Sequence, residues 1–124
     1  MKYKYILFDY DNTTVDSLKW WHHVMRKECF YHYGLKPNKK YLKNFNNKTN
    51  NEKAELFIKT TGVNASVLDI RELWDEKMKN YYLTKVKLLK GIKSFLKFLK
   101  GKGYKLILVT ASEYDVVNDS LKNY

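Results

Sequence analysis

Two aspartates separated by one residue follow the first apolar segment of the chain. This segment, residues 2–9, is aromatic and aliphatic, which is typical of a buried strand, and it ends at Asp9, with Asp11 two positions further on. Ligands of open α/β sheets bind at the carboxyl ends of the strands. Two carboxylates there suit a hard divalent cation such as Mg²⁺, or a nucleophile with an acid/base partner. The alternative is that both side chains only make turn and capping hydrogen bonds.

A second polar cluster follows another apolar segment, at residues 104–109. Thr110 and Ser112 come directly after it, and a predicted helix begins beyond them. Hydroxyls beside a helix N-terminus can receive an anion such as phosphate. The alternative is that one of the two hydroxyls only caps that helix. Each cluster alone favours its structural role in a turn or a helix cap. The two clusters together are a far more specific signal of a functional site.

The elements that must position these clusters follow from the apolar pattern. The insert after the first cluster is predicted to hold helices at about residues 17–33, 52–61 and from 64 or 66 to 82, with a short helix at 40–45 as an option. A strongly amphipathic helix at 91–100 then leads through glycines into the second strand. Helix, glycine turn and continuous apolar strand, in this order, are typical of a parallel sheet. We therefore predict an α/β fold with a partial Rossmann-like core, whose parallel strands lie at about residues 3–9 and 104–110.

The two clusters together resemble motifs of the haloacid dehalogenase-like (HAD) hydrolase superfamily. Residues 8–17, Phe-Asp-Tyr-Asp-Asn-Thr-Thr-Val-Asp-Ser, are similar to its first motif, and residues 90–110 are similar to the stretch leading to its second. The helical insert resembles the C1 cap of phosphoglycolate phosphatase-like and β-phosphoglucomutase-like members. The resemblance implies an incomplete HAD core at residues 1–15 and 89–124, with a helical cap at 16–88.

The resemblance also implies a hydrolase: a Mg²⁺-dependent phosphatase that acts on a small phosphorylated metabolite through an aspartyl-phosphate. Asp9 would be the nucleophile and Asp11 the acid/base. Both would bind the metal, Asp11 through its backbone carbonyl as well. Thr110 would hold the phosphoryl group, and backbone N–H groups near Tyr10 and Ala111 would stabilise its oxygens.

The sequence departs from the family pattern at two places. Asn12 replaces the usual glycine, and asparagine is the next most tolerant residue of positive φ. The larger departure is that the lysine of the family's third motif and the acidic residues of its fourth are not recognisable after Thr110. We therefore expect the sequence to be incomplete as an enzyme. The alternative is a catalytically inactive truncated member, or a regulatory half-domain whose open sheet edge is covered by self-association or by a partner chain.

Composition bears on partners and location. The 124 residues carry a net charge of +11, which can indicate nucleic-acid binding, but the lysines are spread over every segment, so a basic nucleic-acid-binding protein is the weakest of the alternatives. No apolar run approaches about 18 residues, so we expect no membrane span.

The single cysteine, Cys29, excludes an internal disulfide and favours a reducing, cytoplasmic setting. With His32 it lacks the second pair that a zinc site needs, and Lys19 is expected to be solvated rather than to bind a substrate anion.

Overall fold

The computed structural model describes residues 2–124, which form two compact units. The first unit combines the chain up to Lys19 with Asn80–Tyr124, and the second is Trp20–Lys79. The predicted fold class is confirmed, because two parallel strands flank a helical insert. The helices and strands are β1 (Tyr5–Asp9), α1 (Leu18–His23), α2 (Cys29–His32), α3 (Lys39–Asn44), α4 (Asn50–Thr61), α5 (Val67–Thr84), α6 (Ile92–Gly101), β2 (Lys105–Val109) and α7 (Tyr114–Leu121). The predicted domain limits stay a prediction.

The two strands pair in parallel, with Tyr5 opposite Lys105 and Asp9 opposite Val109. On one face of this sheet, Phe8 packs edge-on against Phe95 of α6, with ring centroids 6.3 Å apart. The other face stays largely open, since Leu7 is 67% exposed and Val109 is 53% exposed. The expectation that both strands are buried is therefore wrong for this face. Within residues 2–124, α6 covers only one side of the sheet.

A short backbone ladder joins the segment after β1 to the segment after α5. The Leu89 amide donates to the Thr14 carbonyl at 3.0 Å, and the Asp16 amide donates to the Lys87 carbonyl at 2.9 Å. The Lys87 amide also donates to the Asp16 carboxylate at 2.8 Å. These bonds fix the start of the first helix against the chain that leads into α6, within the first unit.

The helical unit has well-defined helix ends. A π-helical segment, Val24–Glu28, joins α1 to α2. At α4, Thr49 and Glu52 form a reciprocal capping box, which pairs two amides that the helix leaves without partners. Gly62 ends this helix in the left-handed region at φ 70°, as the sequence predicts. No helix among residues 2–124 has the length and apolar character needed to cross a membrane.

An aromatic cluster forms the core of the helical unit. Phe30 meets Phe57 at 4.8 Å and Tyr41 at 5.1 Å between ring centroids, in edge-to-face geometry that favours aromatic pairs. The Tyr41 hydroxyl donates to the Met25 carbonyl at 3.1 Å, which pairs its polar atom. Beside this cluster, burial raises the pKa of the Cys29 thiol to about 11. The cysteine is therefore a packing residue of this core.

Candidate active site

The parallel register brings the two predicted polar clusters to one edge of the sheet. Because Asp9 lies opposite Val109, Tyr10 and Thr110 are the first residues beyond the two strands. The Asp9 side chain is exposed there and Asp11 is partly buried. The edge therefore holds two carboxylates and a hydroxyl on neighbouring chain segments.

A tight turn follows β1 and sets the direction of the second aspartate. The Tyr10 carbonyl accepts the amides of Thr14 at 3.0 Å and Val15 at 3.2 Å. Asn12 has a φ of 56°, so asparagine does adopt the left-handed conformation expected where the family has glycine. The buried Thr14 hydroxyl donates to the Asp9 carbonyl at 2.7 Å. This threonine closes the turn, a role that the sequence pattern did not indicate.

Asp9 is oriented by its own neighbour. One carboxylate oxygen, Oδ1, accepts the Tyr10 backbone N–H at 2.8 Å. The resemblance assigns this amide to a phosphoryl oxygen; here it donates to the carboxylate instead. The other oxygen of Asp9, at an exposed position at the end of the strand, is the one available to a reacting group. The roles inferred for Asp9, Tyr10, Thr110 and Ala111 stay predictions.

Asp11 has a different environment, because its carboxylate accepts hydrogen bonds from three hydroxyl groups. Its Oδ1 accepts Ser17 at 2.6 Å and also the Tyr82 hydroxyl. Its Oδ2 accepts the Ser112 hydroxyl at 2.7 Å, which joins the first cluster to the second. Sequence analysis did not identify Tyr82, because it lies 71 positions from Asp11. It stands near the end of a helix whose aromatic residues were interpreted as core packing residues.

The hydroxyls after β2 do not cap the following helix. The N-cap of α7 is Glu113, and it makes no side-chain capping bond. The Ser112 amide instead donates to the Thr110 Oγ1 at 3.0 Å, which folds the loop back on itself. The capping alternative for Thr110 and Ser112 is therefore wrong, and both hydroxyls belong to the strand edge.

The Tyr10 side chain is structural. It is fully buried, its hydroxyl bonds the Ser120 hydroxyl at 2.6 Å, and its ring stacks on Tyr82 at 6.0 Å between centroids. Burial raises the pKa of this phenol. Only its backbone can therefore take part in chemistry at the strand edge.

The donor atoms at this edge fit Mg²⁺ in kind. Asp9 offers a carboxylate and Asp11 a backbone carbonyl, and Mg²⁺ prefers oxygen ligands, often one or two from the protein, with waters and phosphates completing its octahedron. Within residues 2–124, no group of three or more His, Cys, Asp or Glu side chains could hold a metal.

Lys19 lies beside the first cluster in an ion pair. Its Nζ is 2.9 Å from the Asp16 carboxylate. Burial alone would raise the pKa of Asp16, but hydrogen bonds from Lys19 and from the Lys87 amide, with the Lys19 charge, hold it below its usual value. The Lys19 ammonium group therefore forms an ion pair with Asp16 at the start of α1.

A parallel two-stranded sheet, a helical insert and two aspartates at the end of β1 are the features that this chain offers for comparison with known folds. The model of the haloacid dehalogenase-like hydrolase family matches residues 6–124. This chain therefore belongs to the haloacid dehalogenase-like hydrolase family. A comparison with curated proteins finds no match.

Solved structures share the fold of this chain at low sequence identity. A Thermotoga maritima protein, provisionally described as a β-phosphoglucomutase, has a TM-score of 0.77 and 18% identity, over 97% of this chain and 55% of its own. A Haemophilus somnus protein, provisionally described as a phosphoglycolate phosphatase, has a TM-score of 0.75 and 19% identity, over 100% of this chain and 58% of its own. CbbY from Rhodobacter sphaeroides, solved with phosphate, has a TM-score of 0.67 and 19% identity, over 96% and 56%. The chain thus spans little more than half the length of these proteins.

Proposed function

We propose that this chain carries the nucleophile half of a Mg²⁺-dependent phosphohydrolase that acts on a small phosphorylated metabolite. The observation that carries the proposal is the meeting of Asp9, Asp11 and Thr110 at the carboxyl edge of a parallel sheet. The phosphate-bound CbbY structure supports it, because a protein of this fold binds that anion. The net charge of +11 also favours an anionic substrate.

The proposed reaction has two steps. In the first, the exposed Asp9 carboxylate attacks phosphorus, the new oxygen–phosphorus bond forms, and the ester bond breaks. The leaving oxygen takes its proton from Asp11. In the second step, Asp11 takes a proton from water, which attacks the aspartyl-phosphate and releases phosphate, so that Asp9 is restored.

The remaining groups bind and orient. The Tyr10 amide on Asp9 Oδ1 fixes the rotation of the nucleophile, which is a positional contribution. Thr110 would hold a phosphoryl oxygen by a hydrogen bond, with the Ala111 amide beside it. Asp9 and the Asp11 carbonyl would hold Mg²⁺, which offsets the repulsion between carboxylate and phosphoryl oxygens.

Phosphate release from a panel of small phosphoesters, with and without Mg²⁺, tests this proposal once the strands that carry the third and fourth motifs are supplied together with this chain. Asp9→Asn keeps the shape of the side chain but removes the nucleophilic carboxylate, so turnover should fall below detection. Asp16→Asn is the matched control, because within residues 2–124 the Asp16 carboxylate pairs with Lys19 and the Lys87 amide. Turnover that persists in Asp9→Asn would contradict the role of Asp9 as the nucleophile. Turnover without Mg²⁺ would contradict the proposed requirement for this metal.

A second candidate function is an interaction module, and the open sheet face favours it. Its exposed apolar side chains are Tyr5, Leu7, Ile107 and Val109. Contiguous exposed apolar surface commonly marks a protein–protein contact, so a second copy or another chain would cover this face. Native mass spectrometry distinguishes the outcomes, since Leu7→Lys should abolish a dimer formed through this face. An inactive chain that remains monomeric over the whole concentration range would contradict self-association.

A further inference from the structure

The Asp11 carboxylate is held by hydroxyls from three separate parts of the chain. Ser17 stands immediately before α1, Tyr82 lies in the last turns of α5, and Ser112 follows β2. Two of these hydrogen bonds are on Oδ1 and one is on Oδ2, so together they fix both torsions of this short side chain.

Tyr82 is itself rigidly placed. The residue is 2% exposed and its ring stacks on that of Tyr10 at an interplanar angle of 24°. Its carbonyl accepts the Ser120 hydroxyl of α7 at 3.2 Å. A phenol that packing and hydrogen bonding hold on two sides can present its hydroxyl at a fixed point, which a flexible serine does less well.

We propose that Tyr82 is a positioning residue for the Asp11 carboxylate. An acid/base group must lie within hydrogen-bond reach of the proton that it transfers, and the Tyr82 hydroxyl restricts where Asp11 can point. This role deepens the proposed function and rests on it for its catalytic consequence. The hydrogen bond itself can be tested without any substrate.

A double-mutant cycle in the full chain measures the bond. Tyr82→Phe removes only the hydroxyl and keeps the stacked ring, and Asp11→Ala removes its acceptor. We expect a coupling of about tenfold in the unfolding equilibrium constant, which equals about 1.4 kcal/mol, measured by urea unfolding. The control pair is Tyr41→Phe with Asp11→Ala, since the Tyr41 hydroxyl bonds the Met25 carbonyl instead. Its coupling should stay within about twofold, and equal couplings in the two cycles would overturn the proposal.

A spectroscopic signature separates positioning from general stability. In chain labelled with ¹³C-aspartate, the Asp11 carboxyl resonance is assigned by its disappearance in Asp11→Asn. We expect Tyr82→Phe to shift this resonance, and Ser112→Ala to shift it independently. Tyr41→Phe should leave it unchanged. A resonance that does not respond to Tyr82→Phe would overturn the proposal, even if the variant is destabilised.

The effect of Tyr82 on catalysis is measured separately from its hydrogen bond to Asp11. In chain that releases phosphate, Tyr82→Phe should lower kcat about tenfold and change KM less than twofold, because binding does not use the Tyr82 hydroxyl. Unchanged kcat would overturn the catalytic part of the proposal. Wild-type chain that shows the coupling and the resonance shift but binds no beryllofluoride, a mimic of the phosphoryl group, at Asp9 would support the positioning of Asp11 and contradict the proposed function, so the two failures are distinguishable.

Discussion

The helical unit and the sheet unit use similar apolar residues with opposite results. In the helical unit, Phe30 and Phe57 are fully buried, whereas in the sheet Leu7 and Val109 stay more than half exposed. Helices α2, α3 and α4 supply one another with facing apolar surfaces. The sheet receives α6 on one face only, within residues 2–124. An apolar side chain is therefore buried only where a second layer of secondary structure packs against it. Residue type alone does not determine its burial.

The largest effect that would test this comparison is expected at Phe57. Its ring packs against Phe30, Tyr33 and Tyr41, so Phe57→Ala leaves a cavity in a closed core. We expect a loss of about 3–5 kcal/mol of unfolding free energy, measured by urea unfolding. A loss below about 1 kcal/mol would contradict a self-contained helical core.

The next effect is expected at the turn of the sheet unit, at Asn12. A β-branched residue is strained at a φ of 56°, so Asn12→Val should cost about 1–2 kcal/mol. Asn12→Gly, which restores the usual residue of the family, should be neutral or slightly stabilising. Thermal unfolding of both variants measures the difference. Equal melting temperatures for valine and glycine would show that the turn does not need the left-handed conformation.

A smaller, pH-dependent effect is expected at Asp16. Because the pKa of Asp16 is lowered in the folded state, its contribution is complete above about pH 4 and is lost as the pH falls through the folded value. Asp16→Asn should therefore reduce stability by about 0.5–1 kcal/mol at pH 7, and this difference should shrink as the pH falls through the lowered folded-state pKa. A difference that grows as the pH falls would contradict the sign of this shift.

The smallest effect is expected on the open face of the sheet. Leu7 already contacts solvent over 67% of its surface, so Leu7→Thr, which keeps a strand-forming side chain, should change the unfolding free energy by less than about 0.5 kcal/mol. Urea unfolding of the monomer measures it, beside Phe57→Ala as the buried counterpart. A large loss in the monomer would mean that the face is covered, and the contrast between the two units would fail.

Most of the fold was predictable because local signals coincide with it. The predicted glycine stop at Gly62 and the turn at Asn12 both appear with positive φ. The apolar runs also predicted the parallel strands to within two residues. Exposure of one sheet face was not predictable, because a continuous apolar strand has the same pattern whether or not another layer covers it.

The candidate site was predictable only where its residues are close in sequence to a strand end. Asp9, Asp11 and Thr110 have this placement, and Ser112 was found as a hydroxyl beside it. Tyr82 was not, since its contact with Asp11 depends on how the end of α5 returns to the strand edge. No spacing in the sequence encodes such a long-range contact.

The role of Asp9 as a phosphoryl acceptor is tested most directly by ¹⁹F NMR with beryllofluoride, a tetrahedral mimic of a phosphoryl group on a carboxylate, in the presence of Mg²⁺. This measurement needs no turnover and no known substrate. We expect wild-type chain to show bound fluoride resonances that disappear in Asp9→Asn and persist in Asp16→Asn. Absence of bound resonances in the wild type, or their persistence in Asp9→Asn, would contradict the assignment of Asp9 as the phosphoryl-accepting nucleophile.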